Sequence, residues 1–222
     1  GLIWFVPEAI VYSKSSTNNY IYKQPNLKNL IIMLLIMFVQ CFSGIGFMID
    51  NCARLMSSIG INMDHTLQSI LVYFVGCLST FIASLVMDIM GIHNMWAIST
   101  FGMVISLVIY DLNLKIAIPN WIGVFSVFLY FLFFGLGSGP IPWLLCGAIF
   151  HESVMIESGC ITCFMNRFMD IWFGYLLTEI TKYFGEFGSV IFNAAFSFAG
   201  CLFGLFFIPK LKNVFPENTT II

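Results

Sequence analysis

Charged side chains are scarce in this sequence: Asp, Glu, Lys and Arg together make up only 9% of its 222 residues. Nine Lys and Arg residues against eleven Asp and Glu leave a net charge of -2. Such a chain has no basic stripe that could follow a phosphate backbone, which excludes nucleic acid as an expected partner. The three His residues, His65, His93 and His151, fall in separate predicted loops, so we do not expect them to converge on a metal ion.

The residue patterns of an enzyme are also missing. The sequence contains no Gly-rich phosphate loop, no nucleophile beside a base and no set of ligands at metal-binding spacing. Cys160 and Cys163 have Cys-x-x-Cys spacing, but they lack the strand-to-helix context of a redox motif. We interpret them, with most of the other cysteines, as packing residues in apolar segments. We therefore expect no catalysis, no cofactor and no metal.

Apolar residues, in contrast, are abundant. They make up 59% of the chain, which includes 25 Phe residues and has a mean hydropathy of +0.95. This composition lies outside the usual range of soluble domains and indicates a bilayer as the solvent. The long apolar runs predict an all-α, multi-pass membrane protein with six spans: 29–50, 67–88, 95–111, 120–146, 160–183 and 187–208.

An even number of spans places both ends of the chain on one side of the membrane. The flanks 1–28 and 209–222 carry five Lys residues, whereas Arg54, Lys115 and Lys182 lie in loops of the opposite side. The positive-inside rule therefore favours cytoplasmic ends. The chain starts at Gly1 with an apolar segment that ends at Pro7, so we expect the end of a preceding helix there and a truncated polypeptide.

Two of the six spans are interrupted. The first contains Ser43-Gly44-Ile45-Gly46, and residues 135–143 of the fourth read Gly-Leu-Gly-Ser-Gly-Pro-Ile-Pro-Trp. Glycine weakens a helix, and each proline removes an amide donor and leaves a carbonyl free. If the six spans are two repeats of three, the interruptions occupy matching places, which is typical of a transporter's binding site at the membrane midplane. The alternative is a pair of ordinary helix kinks.

Several motifs resemble those of one family. Gly139-Pro140-Ile141-Pro142-Trp143, followed by Gly147 and Ile149-Phe150, resembles the tenth-helix signature of sugar porters of the major facilitator superfamily, in particular the insect facilitated trehalose transporters. Residues 40–46 are similar to the family's seventh-helix motif. The other matches are Asp88-Ile89-Met90-Gly91 after the eighth helix, Pro7-Glu8 at the end of the amino-terminal half, and Asn166 in the eleventh helix.

This resemblance implies a fold and a function. The chain would be the C-terminal bundle of a major-facilitator fold, residues 29–208, built as two three-helix inverted repeats. Residues 1–28 would hold the end of a helix and the cytoplasmic interdomain loop, and 209–222 a cytoplasmic tail. The whole protein would carry trehalose or a hexose across the plasma membrane by alternating access, and a missing N-terminal six-helix half would be the partner of this chain.

The resemblance also implies residue roles. The implied substrate-binding residues are Gln40, Ser43, Trp143 and Asn166. The implied helix-break and gating residues are Gly44, Gly46, Gly137, Gly139, Pro140, Pro142, Asp88 and Gly91. Other interpretations remain open, since Gln40 could bond a neighbouring helix, Trp143 could belong to an interfacial aromatic belt and Asn166 could cap or bridge helices.

The sequence departs from the family pattern at both the site and the inner face. Cys41 and Gly46 replace two hydrogen-bonding residues, which predicts weaker binding of the usual sugars or a different substrate. Arg167 replaces a Trp and can pair with Asp170, three residues further along. The charges expected at the inner face are replaced at Ile92, His93, Ala148 and Met155, and His151 stands in place of a Pro. The loss of these charges predicts an inward-open resting state, and it leaves a transport-dead sensor or an inactive gene fragment as alternatives.

Overall fold

The computed structural model describes residues 24–49, 64–116, 119–150 and 152–208, and every regular element in these ranges is helical. The predicted roles of Pro7, Glu8, Arg54 and His151, and of most of the two flanks, lie outside the described residues. The helices are α1 (Gln24–Phe42), α2 (His65–Met90), α3 (Ile92–Lys115), α4 (Asn120–Phe133), α5 (Pro140–Ala148) and α6 (Glu152–Phe207). A π-helical segment, Phe134–Ser138, joins α4 to α5, and a helical stretch at 45–49 continues α1 beyond a break.

Helix α6 folds back on itself at Gly185. This residue has φ 70° and ψ -177°, a conformation that essentially only glycine adopts. The ring centroids of Phe173 and Phe192 are 6.4 Å apart, although 19 positions along a straight helix would separate them by about 28 Å. The hydroxyls of Thr181 and Ser189 also meet, at 2.6 Å. The two arms, 152–184 and 186–207, therefore pack side by side.

Five stretches of the described chain are long and apolar enough to cross a membrane: Leu27–Ile49, Thr66–Met90, Ile92–Lys115, Trp121–Ala148 and Val154–Phe206. In each of them, half or more of the most apolar window remains unburied by protein. Large apolar side chains that face outward in this way are expected where lipid is the solvent. The chain is an integral, multi-pass membrane protein.

The helices extend further than the apolar runs that predicted them. Helix α3 starts at Ile92 and ends at Lys115, whereas the sequence predicted 95–111. The polar residues His93 and Asn94 lie inside α3, and the side-chain amide of Asn94 donates to the carbonyl of Met90, the last residue of α2, at 2.9 Å. The loop expected between α2 and α3 is consequently a single residue, Gly91.

Small residues allow α3 and α6 to approach closely. Trp96 is fully buried, and its indole N–H donates to the carbonyl of Gly200 at 3.0 Å. A Cβ at Gly204 would lie 2.0 Å from the Trp96 ring, so only glycine leaves room for the indole there. Close backbone approach over small residues is the usual way in which helices associate in membranes.

Candidate functional site

The break between α4 and α5 follows from the prolines. Because Pro142 has no N–H, the carbonyl of Ser138 loses its helical donor. The side-chain amide of Gln40, on α1, donates to this carbonyl at 3.1 Å and to the carbonyl of Gly139 at 3.0 Å. Within the π-helical segment the amide of Gly139 reaches back to Phe134 O at 2.8 Å. The predicted break is thus stabilised by a side chain of the other interrupted helix.

Hydroxyl groups of α2 and α3 bind further backbone groups of this break. Ser99 Oγ donates to Phe133 O at 2.6 Å and accepts from the Ser138 amide at 2.8 Å. Thr80 Oγ1 donates to Gly135 O at 3.2 Å, and Ser79 Oγ donates to the carbonyl of Leu132. A bilayer cannot hydrogen-bond exposed backbone groups, so an irregular segment at this depth needs such partners.

The break in α1 depends on Gly44, which has φ 92°. The hydroxyl of Tyr130, on α4, donates to Ser43 O at 3.1 Å, and Ser43 Oγ donates to Gln40 O at 2.7 Å. Asn193, on the second arm of α6, packs against the break so closely that a Cβ at Gly44 would lie 2.5 Å from its Cγ. Both the backbone conformation and the lack of space therefore require glycine at position 44.

A cavity of about 1000 Å³ lies beside the two breaks. Of the sequence-predicted site residues, six line it: Gln40, Gly46, Gly139, Pro140, Trp143 and Asn166. Ser43, Gly137 and Pro142 are buried and are not part of its lining, and Gly44 lies against Asn193. Asp88 is exposed and, with Gly91, stands at the end of α2. The structure thus brings both predicted interruptions to one cavity but leaves Ser43 outside it.

The amides of Gln40 and Asn166 contact each other across the helices. Asn166 Nδ2 donates to Gln40 Oε1 at 3.3 Å and to Cys41 Sγ at 3.2 Å. Asn166 Oδ1 is buried and has no partner among the residues that the structure describes. Gln40 is only 7% exposed, whereas Trp143 is 42% exposed. Bonding between helices, the alternative role considered for both amides, is therefore what the contacts show, and the indole is the more accessible group.

Other cavity residues were not predicted as site residues. Tyr73 and Thr80 contribute from α2, and Arg167, Asp170 and Thr178 from the first arm of α6. Arg167 Nη1 and Asp170 Oδ2 form an ion pair at 3.0 Å. The signal for the α6 residues was the helical spacing of three or four positions from Asn166 through Asp170, Gly174 and Thr178. Thr80 is a single polar residue in an apolar run and gave no such pattern.

The predicted inner-face positions are mainly apolar. Ile92 is buried in an apolar cluster with Trp96, Leu145 and Phe150, and Met155 packs against that cluster. A ring nitrogen of His93 lies 2.9 Å from the carbonyl of Leu205, so this side chain contacts the backbone of α6. Apolar packing takes the place of the charges that the family pattern would put at these positions.

Comparison with known proteins agrees with this arrangement. The family model for "Sugar (and other) transporter" matches residues 7–221. The facilitated trehalose transporter Tret1 of Aedes aegypti is 26% identical over 98% of this chain and 28% of its own length. Tret1 of Polypedilum vanderplanki is 32% identical over 86% of this chain and 39% of its own length. The chain thus spans less than half the length of these curated relatives.

Solved structures show the same fold. The major facilitator superfamily proton:xylose symporter XylE, bound to 6-bromo-6-deoxy-D-glucose, superposes with a TM-score of 0.74 at 19% identity. The match covers 82% of this chain and 40% of XylE. These relatives are transporters by name rather than enzymes. Together with the apolar helices and the family match over nearly the whole sequence, they show that this chain belongs to the sugar (and other) transporter family.

Proposed function

We propose that this chain forms the C-terminal half of a facilitative transporter that carries trehalose or a hexose by alternating access. The cavity of about 1000 Å³ between the two helix breaks is the observation that carries the proposal. Its wall offers amides, hydroxyls and the indole of Trp143. Amides and hydroxyls can donate to and accept from sugar hydroxyls, and an indole can cover the apolar C–H face of a sugar ring.

The proposal includes six spans arranged as two inverted repeats of three. A 56-residue α6 drawn out straight would measure about 84 Å, nearly three times the roughly 30 Å hydrocarbon core of a bilayer. The break at Gly185 lets each arm cross once. Breaks then fall in the first span of each repeat, at Gly44 and at Phe134–Ser138. Residues 1–28 and 209–222 would be cytoplasmic, and the protein would lie in the plasma membrane.

A second six-helix half would close the site. The charged pair Arg167 and Asp170 is 65% and 39% exposed at the cavity, and polar groups of this kind are costly when they face lipid. A facing bundle would replace lipid with a polar wall. The relatives support this idea because each is more than twice as long as the region that matches this chain.

Uptake by oocytes tests the carrier function. Radiolabelled trehalose and glucose uptake would be measured with the full-length transcript, its Gln40→Ala variant and its Trp143→Ala variant. We expect saturable uptake that falls at least about tenfold in both variants, because buried amide hydrogen bonds or sugar stacking are lost. Trp172→Ala is the matched control, since Trp172 is 55% exposed and does not line the cavity. Equal loss in all three variants would contradict a site at this cavity.

The apolar inner face favours one second candidate, a sugar sensor or other transport-dead protein. Ile92 and Met155 stand where the family pattern has charges, and both pack in apolar surroundings. Without charged contacts that stabilise the outward-facing state, the protein would remain in the inward-open state and would not complete the transport cycle. Saturable sugar binding without uptake at the cell surface would support the sensor, and the absence of both would support an inactive fragment.

A further inference from the structure

The amide donors of the predicted pair, Gln40 and Asn166, are already used, whereas a second pair in the cavity has free donors. Gln40 uses its amide N–H groups on Ser138 and Gly139, and Asn166 uses its own on Gln40 and Cys41. The guanidinium of Arg167 carries five N–H donors. Among the described residues its one hydrogen-bond partner is Asp170, which accepts from Nη1. Both side chains line the cavity and are 65% and 39% exposed. The lining also contains the charged residues Lys182 and Glu186, but Arg167 and Asp170 are the charged residues that stand next to the predicted amides, one and four positions after Asn166.

This pair adjoins the amide network. Asp170 follows Asn166 by four positions, so both residues lie on one face of α6. Cys41 Sγ accepts from Asn166 Nδ2 at 3.2 Å, and Cys41, Arg167 and Asp170 all line the cavity beside these amides. Gln40, Asn166, Cys41, Asp170 and Arg167 thus form one continuous polar strip along the wall of the cavity.

A purely structural role explains the pair poorly. Its hydrogen bond runs between residues three apart on the same helix and links α6 to no other helix. Exposed pairs of this kind add little stability. Two ionisable side chains inside a membrane span are expensive to insert, and such groups typically mark a substrate path. The direction of both side chains toward the cavity agrees with that role.

Building on the proposed carrier function, we propose that Arg167 and Asp170 form a diol-binding subsite for a neutral sugar. The two carboxylate oxygens of Asp170 accept from two adjacent sugar hydroxyls, and Arg167 donates to the oxygen of one of them. Charge-assisted hydrogen bonds of this kind are stronger than neutral ones. They compensate for Cys41 and Gly46, where the wall carries a weak donor and no side chain at all. A pair with no net charge favours an uncharged ligand over an acidic or an amino sugar.

A series of monodeoxy glucose analogues tests the subsite. Each analogue would compete with radiolabelled glucose for uptake, or for binding to membranes, through the full-length protein. In the wild type, removal of either of two adjacent hydroxyls should weaken competition about ten- to hundredfold, because a charge-assisted hydrogen bond is lost. In Asp170→Asn, competition by glucose itself should weaken by at least this factor, whereas each of those two analogues should weaken less than glucose does, because it has already lost one of its two bonds to Asp170. Arg167→Trp should give the same pattern.

Control variants separate the subsite from a structural ion pair. Glu179→Gln removes a carboxylate from the same arm at a residue that does not line the cavity, and it should leave the competition series unchanged. The double exchange Arg167→Asp with Asp170→Arg keeps an ion pair but reverses its geometry, so it should not restore the wild-type series. Restoration by that exchange would overturn the subsite.

Three further outcomes overturn the subsite, and together they separate its failure from that of the carrier function. If the wild type takes up or binds glucose but shows no pair of adjacent sensitive hydroxyls, the carrier stands and the subsite is wrong, whatever the variants do. If Asp170→Asn weakens all analogues by one factor, the residue acts on the fold instead. If the wild type shows neither uptake nor binding of any sugar, both proposals fail together.

Discussion

The two helix breaks at the cavity are built in different ways. In α1 the break rests on the backbone of one residue, Gly44, with φ 92°. Between α4 and α5 the π-helical segment Phe134–Ser138 is bonded by hydroxyls from two other helices and by the amide of Gln40. The first break therefore depends mainly on one residue, whereas the second depends on hydrogen bonds from several residues. A single substitution should abolish the first and only weaken the second.

The largest effect is expected at Gly44. Gly44→Ala would place a Cβ 2.5 Å from the side chain of Asn193 and would force a strained left-handed backbone. We expect a loss of about 3 kcal/mol or more in stability, or failure to reach the membrane. Thermal unfolding of the purified protein in nanodiscs, with surface labelling of cells, would measure it. A stable, well-expressed Gly44→Ala protein would show that the break adapts to a side chain.

A smaller loss is expected at the second break. Ser99→Ala removes a hydroxyl that donates to Phe133 O and accepts from the Ser138 amide. Two lost hydrogen bonds in a membrane interior should cost about 1–2 kcal/mol. Ser84→Ala is the matched control, because within the described part of the chain the exposed Ser84 bonds only to Phe81 O on its own helix. If both variants unfold at the same temperature, the hydroxyl of Ser99 does not stabilise the π-helical segment.

Tyr130→Phe tests how much the first break depends on a hydrogen bond in addition to Gly44. It removes the hydroxyl that donates to Ser43 O at 3.1 Å but leaves Gly44 in place. The loss should be about 1 kcal/mol, less than for Gly44→Ala, because the backbone conformation of glycine still specifies the break. Tyr175→Phe, at a side chain that is 63% exposed, provides the reference in the same thermal assay. A Tyr130→Phe loss as large as that of Gly44→Ala would mean that the tyrosine, rather than the glycine, specifies the break.

The smallest effect is expected two residues beyond Gly44. A Cβ at Gly46 would meet nothing within 4 Å, and Gly46 lies in the helical stretch 45–49. Gly46→Ala should therefore be neutral or stabilising by up to about 1 kcal/mol, since alanine favours a helix. The same nanodisc unfolding assay measures it. A clear destabilisation would indicate that this stretch must unwind in part of the population.

Much of this site could be predicted from sequence because glycine and proline act locally. The Gly44 break, the Pro142 break and the joint position of Gln40, Trp143 and Asn166 at one cavity all follow from residues that interrupt apolar runs or from motif resemblance. The partners of the breaks could not be predicted. A serine in an apolar helix can bond its own backbone, as Ser106 does with Gly102 O at 2.8 Å, or a neighbouring helix, as Ser99 does. Only the packing of the helices decides between these two arrangements.

The burial of Ser43 could not be predicted from the sequence either. Its position in a binding motif predicted contact with a substrate, yet its hydroxyl serves Gln40 and Tyr130 instead. The side chain that a broken helix presents to a cavity depends on the direction of the chain after the break. That direction is set at Gly44 by a backbone angle that composition and periodicity do not encode.

The single-residue connection at Gly91 bears on the biogenesis of the chain. Helices α2 and α3 together contain 50 residues, from 26 and 24, and a ribosome would add them in roughly 3–10 seconds. Only Gly91 separates them, and the polar residues nearby, Asp88, His93 and Asn94, belong to the helix ends themselves, so no separate loop anchors the first helix before the second follows. The two helices should therefore leave the translocon as one unit, and a glycosylation site or tag placed at Gly91 should disturb the membrane insertion of both.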